Sequence, residues 1–199
     1  MKKRPLLIFI MLIGLSYGLA QEEGIAWSKE YQLTIKDFKN PETEIDKSVS
    51  SVFIQSGATI ELGFQMSNFS FMFTKHFNNK VSCTFYRKAA LLMAPDSLSA
   101  DRLVELSQFD FDLSELYARK IRKELYENKK TFSKSNFFEP YFNKMIQERN
   151  EKSGQVYKAS EFGTAKEVLK KEHEWVLGEI EKLSDYCKSC KPPKKSKKR

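Results

Sequence analysis

A chain of 199 residues, 41 % hydrophobic and 13 % aromatic, holds enough apolar material for one cored domain, which excludes a wholly disordered chain. The formal charge of +8 is concentrated at the two ends. Lys2, Lys3 and Arg4 hold three positive charges and the stretch from Lys188 to Arg199 seven more, so the body between them is left near −2, and no nucleic-acid partner is expected for it.

The N-terminus fits a secretory signal. Three basic residues precede a short apolar run over residues 6–15, and Gly18 and Ala20 are the small residues wanted ahead of a cut before Gln21. The run is shorter than the roughly 20 residues of a membrane span, so cleavage is expected over retention as an anchor. No Cys stands near the cut, so no lipoprotein anchor is expected, and no later stretch is apolar enough to span a membrane. Residues 1–20 read as a signal peptide, 21–186 as one domain and 187–199 as a basic, disordered tail. The expected location is periplasmic or extracellular.

Residues 25–38 form a short entry segment that Asn40-Pro41 breaks. Residues 49–60 are rich in β-branched and small residues. Residues 61–73 alternate with a period of two, Leu62, Phe64 and Met66 first and Phe69, Phe71 and Phe73 one residue out of phase, which predicts strands with a bulge or turn at Ser67-Asn68. Asn78-Asn79 signals a turn, and Val81, Cys83 and Phe85 mark one face of another strand. Ser99 is a candidate N-cap for a long helix over about 100–128, with Leu103, Leu106, Asp110, Leu113, Tyr117 and Ile121 on one stripe and Glu115 and Arg119 as an i,i+4 pair. Pro140 predicts the first turn of a helix to about Lys152 that Gly154 stops. Residues 165–186 form the last helix, and Pro192-Pro193 ends regular structure. Strands followed by helices is the α+β order: a small antiparallel sheet, then a long central helix and two further helices. Cys187 and Cys190 are read as a local disulfide or as free thiols, and Cys83 as a small core residue.

Leu33-Thr34-Ile35-Lys36-Asp37-Phe38-Lys39 resembles the Leu-Thr-Trp-x-Asp-Phe-x-Gly entry motif of the predicted secreted zinc-dependent proteases, also catalogued as bacterial domain of unknown function nine-two-two. The central helix of that family reads approximately Leu-Leu-x-His-Glu-Gln-x-His-Phe-Asp-Ile-x-Glu-x-Tyr-Ala-Arg. In this chain Gln108, Phe111, Asp112, Glu115, Tyr117, Ala118 and Arg119 stand in register with it. Gln155-Val156-Tyr157 is similar to the run into the family's late motif, and Trp175 to a late helix Trp. The resemblance spans about residues 27–183 and implies a metalloprotease-like fold. It also implies where the chemistry would stand. Leu106 takes the place of the first zinc-binding His, Ser107 that of the general-base Glu and Asp110 that of the second His. Catalytic zinc wants three protein ligands and a base for its bound water, so the resemblance implies a degenerate site. The late motif has no His either; Phe162-Gly163 stand near its place. No catalytic residue, metal or cofactor is expected.

The leading expectation is therefore an exported, non-catalytic domain that acts in binding or envelope structure. One alternative is a hydrolase with a rearranged site, built from Asp110, Glu105 or Glu115 with His76 or His173, the two histidines of the chain. Both histidines sit in polar surroundings and read as solvated. Another alternative is a tethering module that meets anionic surfaces through the basic tail. Asp110, on the apolar stripe, needs a counter-charge, expected from a Lys or Arg of the sheet, or else an opening to water.

Overall fold

A computed structural model describes residues 24–63, 67–130, 133–134 and 136–193. The signal-peptide reading of residues 1–20 and the strand assignments of Phe64 and Met66 lie outside these residues, as do 194–199. The fold is α+β. Strand β1 (Gly24–Ala26) pairs antiparallel with β5 (Val81–Tyr86), and β5 pairs antiparallel with β4 (Ala58–Leu62). The expected alternation on β5 is present: Val81, Cys83 and Phe85 are buried and the residues between them are half-buried. Register places Ile25 beside Phe85 and Ile60 beside Cys83, so one face of this sheet is continuously apolar.

A second small sheet orders β2 (Glu44–Ile45), β6 (Leu91–Ala94) and β3 (Phe53–Gln55); it is mixed, with β2 parallel to β6. The run over residues 49–60, rich in β-branched and small residues, thus supplies β3 and the start of β4, which lie in different sheets. Gly57 lies in the break between them, where a Cβ would come within 2.5 Å of the Tyr86 carbonyl oxygen. Only glycine lets the chain cross so close to β5.

The phase slip at Ser67 marks a change of structure and not a bulge. Residues Asn68–Phe73 are a short helix, α1, whose N-cap Ser67 accepts from the Ser70 N–H. Three Phe at a period of two would share one face of a strand. On a helix Phe71 turns inward onto Phe77 and Phe137, while Phe69 and Phe73 stack on each other outside.

Helix α2 (Ser97–Asn128) starts earlier than expected because Asp96, not Ser99, is its N-cap and accepts from the Ser99 N–H. Helix α3 (Glu139–Ala159) carries Pro140 in its first turn but runs straight through Gly154, where added side-chain atoms would meet nothing. The stop comes at Glu161, Phe162 and Gly163, all at positive φ. Helix α4 (Lys166–Lys182) ends before a separate 3-10 turn, Ser184–Tyr186.

Helix α2 is the axis of the molecule. It packs on β4 and β5 on one side and on α3 and α4 on the other. Every residue from Leu106 to Arg119 is buried. The sequence is apolar on a stripe only, so the polar residues on the other faces are buried too and need internal partners. Among the described residues no helix is long and apolar enough to cross a membrane.

Candidate functional site

The polar residues of α2 form three clusters along the helix. The first surrounds Asp110. Its Oδ1 accepts from the Ser153 hydroxyl at 2.6 Å, and its Oδ2 is held by the Arg149 guanidinium. Both partners come from α3, so the counter-charge expected from the sheet is supplied by a helix instead. Ser114 closes the turn by donating to the Asp110 carbonyl at 2.8 Å and accepting from Arg149 Nε at 3.2 Å. Tyr157 lies in the same cluster; burial, and next the charge of Asp110, push its hydroxyl well above the usual tyrosine value.

The second cluster surrounds Asp112. Trp27 Nε1 donates to Oδ1 at 2.7 Å. Gln108 Nε2 donates to Oδ2 at 3.0 Å, and His173 Nε2 of α4 lies 2.7 Å from the same oxygen. Gln108 also accepts the Leu33 N–H at 2.8 Å, so one amide ties the entry segment to the central helix. The entry segment holds its own turn: Asp37 accepts from the Thr34 N–H and hydroxyl, Tyr31 and Arg87. Burial pushes the Asp37 carboxyl up, but the Thr34 N–H, the Tyr31 and Thr34 hydroxyls and the Arg87 charge outweigh it and hold it below the usual range. The expectation of a solvated His173 is overturned, because its ring reaches past the surface of α4 to a buried carboxylate on α2. His76 is half-buried, with an Nδ1 that lacks a hydrogen-bond partner among the described residues.

The third cluster is Glu115 between two arginines. The expected i,i+4 pair is present, with Arg119 Nε 2.9 Å from Glu115 Oε1, and it is buried. Arg122, fully buried and one further turn along, adds contacts at 2.8 and 3.3 Å and also donates to the Val81 and Tyr186 carbonyls. Arg119 donates to the Ile180 carbonyl and lies over the Trp27 ring, 5.3 Å from its centre. Both guanidiniums border a cleft of about 460 Å³, rimmed by Lys29 and the 187–189 loop. Cys83 also lines this cleft, but burial, and next the charge of Glu115, push its thiol well above the usual cysteine value. A thiol held protonated in this way is a poor nucleophile.

Cys187 and Cys190 form a disulfide. The fully buried Asn78 donates to the Asp185, Cys187 and Cys190 carbonyls, and Tyr126 donates to the Pro193 carbonyl. Residues 187–193, read from sequence as the start of a disordered tail, are thus tied to the body.

Leu106, Ser107 and Asp110, the positions at which the resemblance puts a degenerate site, do not fit a metal. Leu106 carries no donor atom and is fully buried. Ser107 is also fully buried, and its hydroxyl has no partner among the described residues. Both oxygens of Asp110 are engaged by Ser153 and Arg149. Among the described residues no three His, Cys, Asp or Glu side chains converge as a metal-binding group. The helix positions in register with the resembled motif meet different ends. Gln108, Asp112, Glu115 and Arg119 become the centres of the polar clusters, while Phe111 packs on Phe85 and Tyr117 is buried in the core. Sequence reasoning missed Trp27, Arg122, Arg149 and Ser153. Arg122 alone left a signal, since it lies seven residues from Glu115 on the same helix face.

Of the residues considered for a rearranged site, Glu105 and His173 border one shallow groove of about 330 Å³ with Lys166 and Lys170. Asp110 and Glu115 belong to other clusters, with Arg149 and Arg122 as their respective cations. No family model matches the chain, and neither the curated proteins nor the solved structures contain a match.

Proposed function

We propose that this chain is an exported, non-catalytic domain of degenerate metalloprotease-like type that acts by binding or as a structural part of the cell envelope. The observation that carries the reading is the environment of Leu106, Ser107 and Asp110. All three are buried, and the one carboxylate among them is neutralised by Arg149. A general base needs a free carboxylate or imidazole and a metal-bound water needs space and several ligands, and this buried stretch of helix supplies none of these among the described residues. Export is supported by the basic-then-apolar N-terminus and agrees with a disulfide between Cys187 and Cys190. Incubating the purified mature chain with a peptide library and zinc tests the reading. No cleavage is expected; chelator-sensitive cleavage that persists in a catalytically clean preparation overturns it.

A second reading is favoured by one specific contact. The Asp112–His173 pair, fixed by Trp27 and Gln108 and opening onto the groove with Glu105, is the arrangement of a general base with its orienting carboxylate. On that reading a hydrolase works at Asp112, half a turn from Asp110. Loss of an ester- or peptide-hydrolysing activity in His173→Gln would support it, and absence of any such activity in the parent chain would remove it.

A further inference from the structure

We propose that the cleft beside Glu115 is a binding site for the carboxylate of a small organic acid, which Arg119 takes on its free edge. The proposal rests on the binding half of the reading above and names a ligand class for it. Arg119 is 7 % exposed, and two of its nitrogens are committed: Nε donates to Glu115, and Nη1 to the Ile180 and Leu183 carbonyls. No described residue accepts from Nη2, so a buried guanidinium keeps free N–H donors where it borders the cleft. Its neighbour Arg122 has no such surplus. All its nitrogens donate, to Glu115 and to the Val81 and Tyr186 carbonyls. The Trp27 ring, 5.3 Å from the central carbon of Arg119, backs the guanidinium and helps to hold the fork in place.

The charge of the cluster points to the same ligand. Two buried arginines share one buried carboxylate, Glu115, which leaves a positive charge uncompensated. The α4 carbonyls that Arg119 reaches bring only partial negative charge. At the rim the exposed Lys29 pairs with Glu181 at 3.4 Å, and Lys188 and Glu30 carry opposite charges, so the excess is buried and not at the surface. A monoanion completes the cluster, whereas a phosphate dianion overshoots it. A carboxylate also offers paired oxygens in the plane that a guanidinium edge prefers. The volume of about 460 Å³ suits a small ligand, and Ala26 and Trp27 add apolar lining beside the donors, which fits an acid with a small apolar body. The rim is preformed: the disulfide closes the loop from Cys187 to Cys190, and Asn78 ties the carbonyls of both cysteines to the body.

The test is isothermal titration calorimetry of the full mature chain with benzoate, benzamide and inorganic phosphate at neutral pH. Benzoate is expected to bind one per chain, and benzamide, of the same shape without the charge, roughly tenfold more weakly. Arg119→Lys keeps a cation for Glu115 but loses the planar fork, and should weaken benzoate binding by roughly tenfold. Because Arg119 is buried, a second variant works from the surface. Lys29→Glu with Lys188→Glu reverses the rim charge on two exposed side chains and should weaken benzoate binding by roughly fourfold, with an unchanged melting temperature. Equal binding of benzoate by the parent and the surface variant overturns the proposal, and so does equal affinity for benzoate and benzamide. Tighter binding of phosphate than of benzoate overturns the assignment to a carboxylate. A parent chain that binds no benzoate also overturns the proposal, while the non-catalytic reading still stands or falls on peptide cleavage.

Discussion

Asp110 and Asp112 stand two residues apart on one helix, both buried, and are solved in different ways. Asp110 turns toward α3, where it meets a permanent cation and a hydroxyl from the same helix. Asp112 turns toward the entry segment and α4, where it meets an indole, an amide and an imidazole from separate elements. The first is a closed strut between two helices. The second ties distant parts of the chain together and ends on a titratable ring at a groove. Asp110 is therefore closed off between two helices, while Asp112 reaches a groove through His173.

The contrast can be broken from the Asp110 side first. Arg149→Met leaves a buried carboxylate with one hydroxyl partner and should lower unfolding free energy by about 3 kcal/mol in urea denaturation. Adding Asp110→Asn should restore most of that loss, because the uncompensated charge disappears. On the Asp112 side, Trp27→Phe keeps the ring packing but removes a donor to a carboxylate, for an expected cost of about 1.5 kcal/mol. His173→Gln should cost less, about 0.5 kcal/mol, since glutamine can donate in place of the imidazole and Trp27 and Gln108 remain. A cost for His173→Gln as large as that of Arg149→Met would show that the two sites are struts of the same kind.

The smallest effect concerns acid. Asp37 has its carboxyl held below the usual range, so it contributes stability above about pH 4 that is lost as pH falls through the lower folded value. Asp37→Asn should flatten that part of the stability–pH curve and leave the neutral-to-alkaline part parallel to the parent.

The central helix was legible because an apolar residue at every third or fourth position can be read locally, and so could the Glu115–Arg119 pair. The clusters themselves were not. Trp27 reaches Asp112 across 85 positions and Arg149 reaches Asp110 across 39, and no local pattern records such pairings. Two misreadings have local causes. Phe69, Phe71 and Phe73 satisfy a period of two, yet the Ser67 cap and one inward ring suffice for a helical turn. Gly154 reads as a stop, but with open space around it glycine only weakens the helix, and tertiary packing of α3 on α2 outweighs that. The engagement of Asp110 by Arg149 left no local trace either.

Helix α2 is a packed helix on which the described residues form no metal-binding group. The most direct measurement is the zinc content of the purified mature chain after equilibration with zinc and desalting. Far less than one zinc per chain is expected, with no change in Asp110→Asn. One zinc per chain, lost in Asp110→Asn, would contradict it.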